Sequence, residues 1–297
     1  MKYRFESDRK QGRGVTVGTF DGVHRGHRVV VDFLLAESRR RGLTPLVITF
    51  EPHPLAVVAP DRMPPLLESP GEREEALHAM GADVEVLTFD ENLRQQSVDQ
   101  WFARLAADYN VKLLVAGFDN TFGSDGMKMD FTDYVRIGAV HGIEVVEAPR
   151  LEGVCSTFIR RALASGDVDS ASKMLGRAFA VTGKVGHGRA LGRTIGVPTA
   201  NLEPDARLQI PAPGVYAADA VTADGRRYRS VVNIGVAPTV TAGLPLTIEA
   251  HLLGFEGDLY GEILRLEFLR RLRDERKFAS LDDLKQQIMR DAKAAKV

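Results

Sequence analysis

Two spacings of apolar residues divide the chain. Up to about residue 176, short apolar runs alternate with longer stretches whose apolar positions recur at helical spacing. Residues 15–17 read as a short strand. After a turn, residues 26–41 read as a helix, with Val29, Val30, Phe33, Leu34 and Ala36 on its repeat. Arg39, Arg40 and Arg41 close it before Gly42, where cations complement the negative end of the helix dipole. Residues 46–50 form a continuous apolar run, as in strands covered on both faces. The alternation continues with helices at 72–80, 98–109 and 131–140 and strands at 84–89, 111–116 and 143–146. Strands separated by helices predict βαβ units and a parallel sheet, whose ligands bind beyond the carboxyl ends of the strands.

From Phe179 the pattern changes. Short strand-like segments at 180–185, 214–222, 228–234, 246–253 and 263–268 are separated by glycine and proline. Asp224-Gly225 between two of them signals a hairpin, because glycine accepts positive φ. This half is predicted as a small antiparallel β-barrel. It ends in a helix, since Ser280 and Asp283 form a capping-box pattern before Leu284 and Ile288. The expected fold is therefore α/β plus β: a doubly wound nucleotide-type domain over 1–177, then a barrel with a terminal helix over 178–297.

Composition narrows the class. A length of 297 residues suits two domains. Lysine and arginine total 39 against 40 aspartate and glutamate, a formal net charge of -1, which argues against a whole-protein nucleic-acid binder. Apolar residues at 44% and charged residues at 27% are ordinary for a chain that buries a core. No apolar stretch approaches the roughly 20 residues that span a bilayer, and the start, MKYRFESDRKQGRG, lacks the apolar run of a secretory signal. The single cysteine, Cys155, excludes an intramolecular disulfide and a multi-cysteine metal site. A soluble cytoplasmic protein with neither nucleic-acid nor membrane partners is expected.

The densest candidate chemistry is Gly18-Thr19-Phe20-Asp21-Gly22-Val23-His24-Arg25-Gly26-His27, directly after the first strand and opening a helix. Its glycines permit a tight turn and close backbone approach to a ligand, while a helix N-terminus offers donors to an anion. His24 and His27 can sit beside a phosphate chain and hydrogen-bond the charge that builds when an α-phosphate is attacked. Either histidine alone would be an ordinary surface residue at a helix start. The strand, glycine-rich turn and helix together favour the chemical reading. Zinc is disfavoured, because no third ligand has supporting spacing.

This segment resembles the HxGH nucleotidylyltransferase superfamily, whose members join a nucleotide to a phosphorylated acceptor. More closely, it resembles the bacterial riboflavin kinase/FAD synthetase family. That resemblance implies nucleotide- or phosphate-binding roles for Gly18, Phe20, Asp21 and Gly22, and catalytic roles for His24 and His27. Thr49-Phe50-Glu51-Pro52-His53-Pro54 matches a strand-end loop, which implies that His53 lies near the nucleotide phosphates. By itself, a histidine between prolines is more often a rigid loop residue. Gly117-Phe118-Asp119-Asn120-Thr121-Phe122-Gly123 follows another predicted strand, and the resemblance places Asp119, Asn120 and Phe122 at the flavin. Asn120 and Thr121 stand where the family commonly has phenylalanine and arginine.

Val154-Cys155-Ser156-Thr157-Phe158-Ile159-Arg160 corresponds to the family's Ser-Ser-Thr-x-Ile-Arg. Ser156 and Thr157 can cap the following helix and give hydroxyls to phosphate, while Arg160 supplies a planar, permanent cation with an implied catalytic role. An ordinary N-cap and an exposed arginine are the plainer alternative. Cys155 replaces the first serine. With no Cys-His-Asn signature beside it, Cys155 reads as a small packing residue.

In the second half, residues 183–201 read GKVGHGRALGRTIGVPTAN. They fit neither the Walker ending nor the dinucleotide glycine spacing. With Pro198-Thr199-Ala200-Asn201 at its end, the run resembles the riboflavin kinase domain. That implies phosphate contacts by Gly183, Gly188, Gly192 and Arg193. The hydroxyl of Thr199 and the carbonyl of Asn201 are hard oxygen ligands suited to magnesium. A glycine-rich barrel corner remains the structural alternative. Glu249 lies on an alternating strand with its apolar neighbours on the opposite face. The resemblance makes it the base that accepts the ribityl hydroxyl proton, although a strand glutamate is more often simply solvated. Asn233 to Thr239 and Asp258-Leu259-Tyr260-Gly261 also fit the family, with Ala237 replacing a residue that is often basic. Arg273, Glu275 and Phe278 fit its final segment, which implies flavin contacts for Arg273 and Phe278.

The expected activity is a bifunctional transferase using ATP as co-substrate and magnesium as cofactor, with riboflavin, FMN and FAD as substrates and products. A nucleotidylyltransferase acting on phosphopantetheine or nicotinamide mononucleotide would share the first motif, but not the run ending at Asn201. A non-enzymatic flavin carrier would need neither of two separate phosphate-handling motifs.

Overall fold

The computed structural model describes residues 11–118, 120–187, 196–236 and 246–296. The chain forms two compact units: residues up to Pro64 with 69–154, and residues 65–68 with the chain from Cys155 onward.

The first unit is built on strands β1 (Arg13–Val17), β2 (Thr44–Glu51), β3 (Asp83–Thr88), β4 (Val111–Ala116) and β5 (Glu144–Glu147). All pair in parallel, in the order β3-β2-β1-β4-β5. Between them run helices α1 (Arg25–Arg41), α2 (Pro54–Val58), α3 (Pro70–His78), α4 (Glu91–Gln95), α5 (Val98–Tyr109) and α6 (Phe131–Val140). Successive strand residues point to opposite faces, so the apolar runs feed two cores. Val15, Val17, Leu46, Ile48 and Leu114 pack with Trp101, Phe102 and Leu105 of α5 and Ile137 of α6. Val47, Leu113 and Val115 pack instead with Val31 and Leu34 of α1 and Leu77 of α3. This is the expected doubly wound sheet. Helix α1 ends where its three arginines meet Gly42, whose left-handed backbone (φ 66°) returns its N–H to the carbonyls of Ser38 and Arg39.

The second unit contains helices α7 (Ser156–Ala164) and α8 (Val168–Leu175), then strands β6 (Phe179–Gly186), β7 (Ala200–Pro204), β8 (Gly214–Thr222), β9 (Arg227–Val236), β10 (Leu246–Leu252) and β11 (Ile263–Arg273). The strands close into an antiparallel barrel in the order β10-β7-β6-β11-β8-β9. The Asp224-Gly225 turn joins β8 to β9, with Gly225 at φ 82°. The terminal helix, Leu281–Ala295, is capped by the Ser280 hydroxyl, which accepts from the Asp283 N–H at 3.1 Å. Strand β7 has no independent apolar signal: it is five residues long, ends in proline, and exists through its pairing with β6 and β10.

The compact division does not coincide with the pattern change near Gly176. Ile159, Leu163, Val168, Ala171 and Leu175 share one buried cluster with barrel residues such as Val181, Phe268 and Leu266. One local expectation is corrected. The N-cap of α7 is Cys155, without a side-chain cap bond, and Ser156 is already the first helical residue.

These contacts predict that a fragment beginning at Cys155 is more stable than one beginning at residue 178. Five buried apolar side chains separate the two. At about 1.5 kcal/mol or more for each large apolar side chain, the shorter fragment should lose on the order of 5 kcal/mol. Urea denaturation of both fragments measures the difference, and equal midpoints would refute the packing argument.

Candidate functional sites

In the first unit the sheet order reverses beside β1: the chain passes outward through β2 and β3, then returns to β4 on the other side. Loops leaving the carboxyl ends of β1, β2 and β4 therefore meet at the switch point of the sheet, where α/β folds bind ligands. After β1 the backbone turns sharply, with Phe20 at φ 48°, Gly22 at φ 86° and Val23 at φ 33°. Two non-glycine residues in the left-handed region store strain of about 1–3 kcal/mol each, which persists only where the surroundings over-determine the loop. Phe20, Asp21, Val23 and His24 are all buried, the Gly18 N–H donates to the Ile48 carbonyl at 3.1 Å, and the Val23 N–H donates to the Phe20 carbonyl at 2.9 Å.

His24 caps α1: its Nδ1 accepts from the His27 backbone N–H at 3.3 Å. In the neutral ring the proton then sits on Nε2, a donor suited to phosphate oxygen. The two imidazoles stack with centroids 3.6 Å apart, and the Phe20 ring meets His27 edge-on at 5.2 Å. A Cβ at residue 26 would press to 3.1 Å from the His24 ring, so any larger residue between the histidines would crowd the stacked ring.

After β2, His53 caps α2 by accepting from the Leu55 N–H at 3.2 Å, again through Nδ1. The buried Thr49 hydroxyl donates to the Thr19 carbonyl at 3.2 Å, tying this strand end to the histidine loop. Behind it Arg73, 2% exposed, donates to the Phe50 carbonyl at 2.8 Å and lies 3.5 Å from the Glu51 carboxylate. Nothing in its sequence context distinguishes Arg73 from its charged helical neighbours.

Beyond β4, Asn120 accepts from the Gly117 N–H and donates to the Val17 carbonyl at 2.8 Å, so one side chain clasps the ends of β1 and β4. Phe122 is buried edge-on to Phe102 and Tyr134. The exposed aromatic of this loop is Phe118, with the Arg150 guanidinium 3.7 Å from its ring centre. Asp119 lies outside the described residues. Ser156, Thr157 and Arg160 belong to α7 of the second unit, where Arg160 Nε donates to the Pro65 carbonyl at 2.6 Å.

On the barrel, β10 buries Ile248, Ala250 and Leu252 and turns Thr247, Glu249 and His251 outward. Glu249 stands directly opposite Asn201 of β7 on one side and Asn233 of β9 on the other. Cross-strand partners share a face, so a carboxylate and two carboxamides form a row on the barrel exterior. The Asn233 amide reaches Glu275 Oε1 at 3.5 Å, and the Glu275 carboxylate also covers Gly235. The Thr247 hydroxyl donates to the Gly235 carbonyl at 3.3 Å, and His251 Nδ1 meets the Pro198 carbonyl at 2.8 Å.

A riboflavin kinase family model matches residues 175–297, and an FAD synthetase model matches residues 6–157. The bifunctional riboflavin kinase/FMN adenylyltransferase of Escherichia coli K12 is 38% identical over 293 residues, covering 97% of this chain and 93% of that protein. This chain belongs to the bifunctional riboflavin kinase/FMN adenylyltransferase family. The Bacillus subtilis protein of that name is 36% identical and covers 95% of this chain and 90% of its own length. A solved Streptococcus pneumoniae chain described as a macrolide-efflux protein has the same fold, with TM-score 0.85, 32% identity and coverage of 96% and 94%. No helix among the described residues is long and apolar enough to cross a membrane.

Family membership sharpens the reading of several residues. Asn120, where the family commonly has phenylalanine, here closes the switch point by hydrogen bonds. Gly183 is packed within β6, where a Cβ would meet the Glu203 backbone at 2.7 Å. Gly188, Gly192, Arg193 and Ala237 lie outside the described residues. Arg273 grips the buried Asp291 of the terminal helix at 2.7 Å, and Phe278 sits beneath Arg273 and Arg276. Phe278, Arg276, Lys277 and Arg290 line a cleft of ≈ 290 Å³.

The clasp yields a prediction for this family member. Asn120→Ala leaves the Gly117 N–H and Val17 carbonyl without their partner, at about 1–3 kcal/mol for a group left unsatisfied. The first unit should melt earlier while the barrel transition stays in place. Scanning calorimetry that shows an unchanged first-unit transition would contradict the assignment.

Proposed function

We propose that the barrel unit transfers the γ-phosphoryl group of ATP to riboflavin, giving FMN and ADP. The parallel-sheet unit then transfers the adenylyl group of a second ATP to FMN, giving FAD and pyrophosphate. The observation that supports this reading is the presence, on one chain, of two separate polar constellations suited to phosphate. They are the stacked His24–His27 pair at the switch point and the row centred on Glu249. Functionally, residues 1–177 serve adenylylation and residues 178–297 serve phosphorylation. Since both steps consume ATP, the enzyme works in the cytoplasm.

In the adenylyl step an FMN phosphate oxygen attacks the α-phosphorus of ATP, and the bond to the pyrophosphate oxygen breaks. Gly18, Phe20, Asp21 and Gly22 shape the loop around the nucleotide, while His24, through Nε2, and His27 offer ring N–H donors to the charge on the phosphate chain. His53, Ser156 and Thr157 supply further phosphate contacts, and Arg160 a cation that no pH change removes. Asp119, Asn120 and Phe122 form or support the flavin side.

In the kinase step Glu249 accepts the proton of the ribityl hydroxyl, whose oxygen attacks the γ-phosphorus as ADP leaves. The donor set suits magnesium. Asn201 is a neutral oxygen donor opposite Glu249 and Thr199 lies two residues before it, and among the described residues no cluster of three acidic, histidine or cysteine side chains competes for a metal. Bound magnesium would draw charge from the ATP phosphates. Gly183, Gly188, Gly192 and Arg193 serve the phosphates, and Arg273 and Phe278 the flavin.

His27→Ala should lower FAD formation from supplied FMN by about 10²–10³-fold, the usual loss for one donor to developing charge. FMN formation should continue nearly unchanged; equal loss of both activities would point to misfolding instead. Glu249→Gln keeps size and hydrogen bonding but removes basicity. It should cut kcat for FMN formation while ATP affinity holds, and Thr199→Ala should instead raise the magnesium requirement. Flavin chromatography of timed reactions measures all three, and wild-type turnover by Glu249→Gln would falsify the base assignment.

A further inference from the structure

Strand β10 carries more than Glu249. Its three outward side chains are Thr247, Glu249 and His251, and the outer two are each tied to a backbone carbonyl of a neighbouring segment. Thr247 reaches Gly235 of β9. His251 reaches Pro198, which precedes β7 and lies one residue before Thr199.

The backbone ladder between β10 and β7 consists of Ile248↔Leu202, Glu249↔Asn201 and Ala250↔Ala200, and stops there. Pro198 and Thr199 thus lie just past the last rung. Their placement depends on what holds the chain before β7. Val197 is buried and anchors one side. On the other side the His251 ring takes the place of the next rung, its Nδ1 2.8 Å from the Pro198 oxygen. A carbonyl oxygen only accepts, so Nδ1 must carry the proton. The peptide from Pro198 to Thr199 is planar, and the proline ring fixes its own φ. Holding that one oxygen therefore orients the whole peptide from which Thr199 projects.

We propose that His251 is a positioning residue of the kinase site: its Nδ1–H straps the Pro198–Thr199 peptide to the strand that carries Glu249, so that base and metal-binding oxygens keep a fixed separation. The inference rests on the assignment of Thr199 and Asn201 to magnesium-ATP. His251 itself takes no proton from the substrate. Its loss should weaken the binding of magnesium-ATP and leave the chemical step alone.

The test uses the full chain. His251→Leu keeps bulk without a donor, His251→Ala removes both, and His251→Asn restores a side-chain N–H near the Nδ1 position. For FMN formation, the leucine and alanine variants should raise KM for ATP about tenfold and raise the half-saturating magnesium concentration, with kcat within about twofold of wild type. The asparagine variant should recover most of both. As a readout apart from activity, the magnesium-dependent rise in melting temperature on adding ADP should shrink in the leucine variant and return in the asparagine variant. FAD formation from supplied FMN should match wild type throughout, which controls for folding and concentration.

Unchanged KM and magnesium dependence in the leucine variant would overturn the strap. So would an asparagine variant as impaired as leucine, or a fall in kcat alone. Nitrogen NMR of the wild-type histidines needs no variant: a His251 ring protonated only on Nε2 would also overturn it. Thr199→Ala measured in parallel separates the two assignments. If it leaves magnesium dependence unchanged while His251→Leu raises KM, the strap stands and the metal role of Thr199 falls.

Discussion

Strand β1 is hydrogen-bonded on both edges, by β2 and by β4, and all five of its residues are buried. Everything in the first unit follows from that position. Because the chain leaves β1 toward β2 and comes back on the opposite side at β4, the two connecting loops diverge at the carboxyl ends and leave a crevice between them. The histidine loop and the Asn120 clasp are attached to the two strands that border that crevice, and the His53 loop leaves β2, the next strand beside β1. Backbone contacts made by a few polar side chains, buried or half-buried, tie these strand ends together: Thr49 to the Thr19 carbonyl, Asn120 to the Val17 carbonyl, and Arg73 to the Phe50 carbonyl.

In the barrel unit the organising constraint is register. A strand's side chains alternate between faces, so a slip of one residue would move Glu249 into the core and Ile248 out of it. Burial of Ile248, Ala250 and Leu252 prevents the slip, and the same pairing that fills the core lines up Asn201, Glu249 and Asn233 outside. The apolar positions are thus what place the polar ones. Closure of the barrel also removes exposed strand edges, and a loop meets the end of β6. The 258–262 segment does this at β6: the Gly261 N–H donates to the Val185 carbonyl at 2.8 Å and the Val185 N–H donates to the Glu262 carbonyl at 2.9 Å.

The two units present different chemical groups. The sheet unit presents histidine donors held by a strained turn at a helix start. The barrel unit presents a carboxylate and neutral oxygens on a strand exterior. One geometry suits stabilising charge on an attacked α-phosphate; the other suits accepting a hydroxyl proton beside a cation.

Much of this was determined by sequence alone. The apolar runs and helical repeats specify strands and helices locally, and residue type and spacing mark the glycine- and histidine-rich turn after β1 as the candidate chemistry of its unit. The outward placement of Glu249 follows from alternation within its own strand. Other features depend on residues far apart in the chain, and only the tertiary structure decided them. Strand β7 has no apolar signature, and is a strand because β6 and β10 flank it. Phe122 is part of the core because Phe102 and Tyr134 enclose it. Helices α7 and α8 precede the change of pattern yet pack with the barrel, since their apolar faces meet its core. Arg73 and His251 look like ordinary charged or polar residues until the fold sets a backbone carbonyl within reach. Local pattern encodes which face of an element is apolar; which partner covers that face is settled only when every element has been packed.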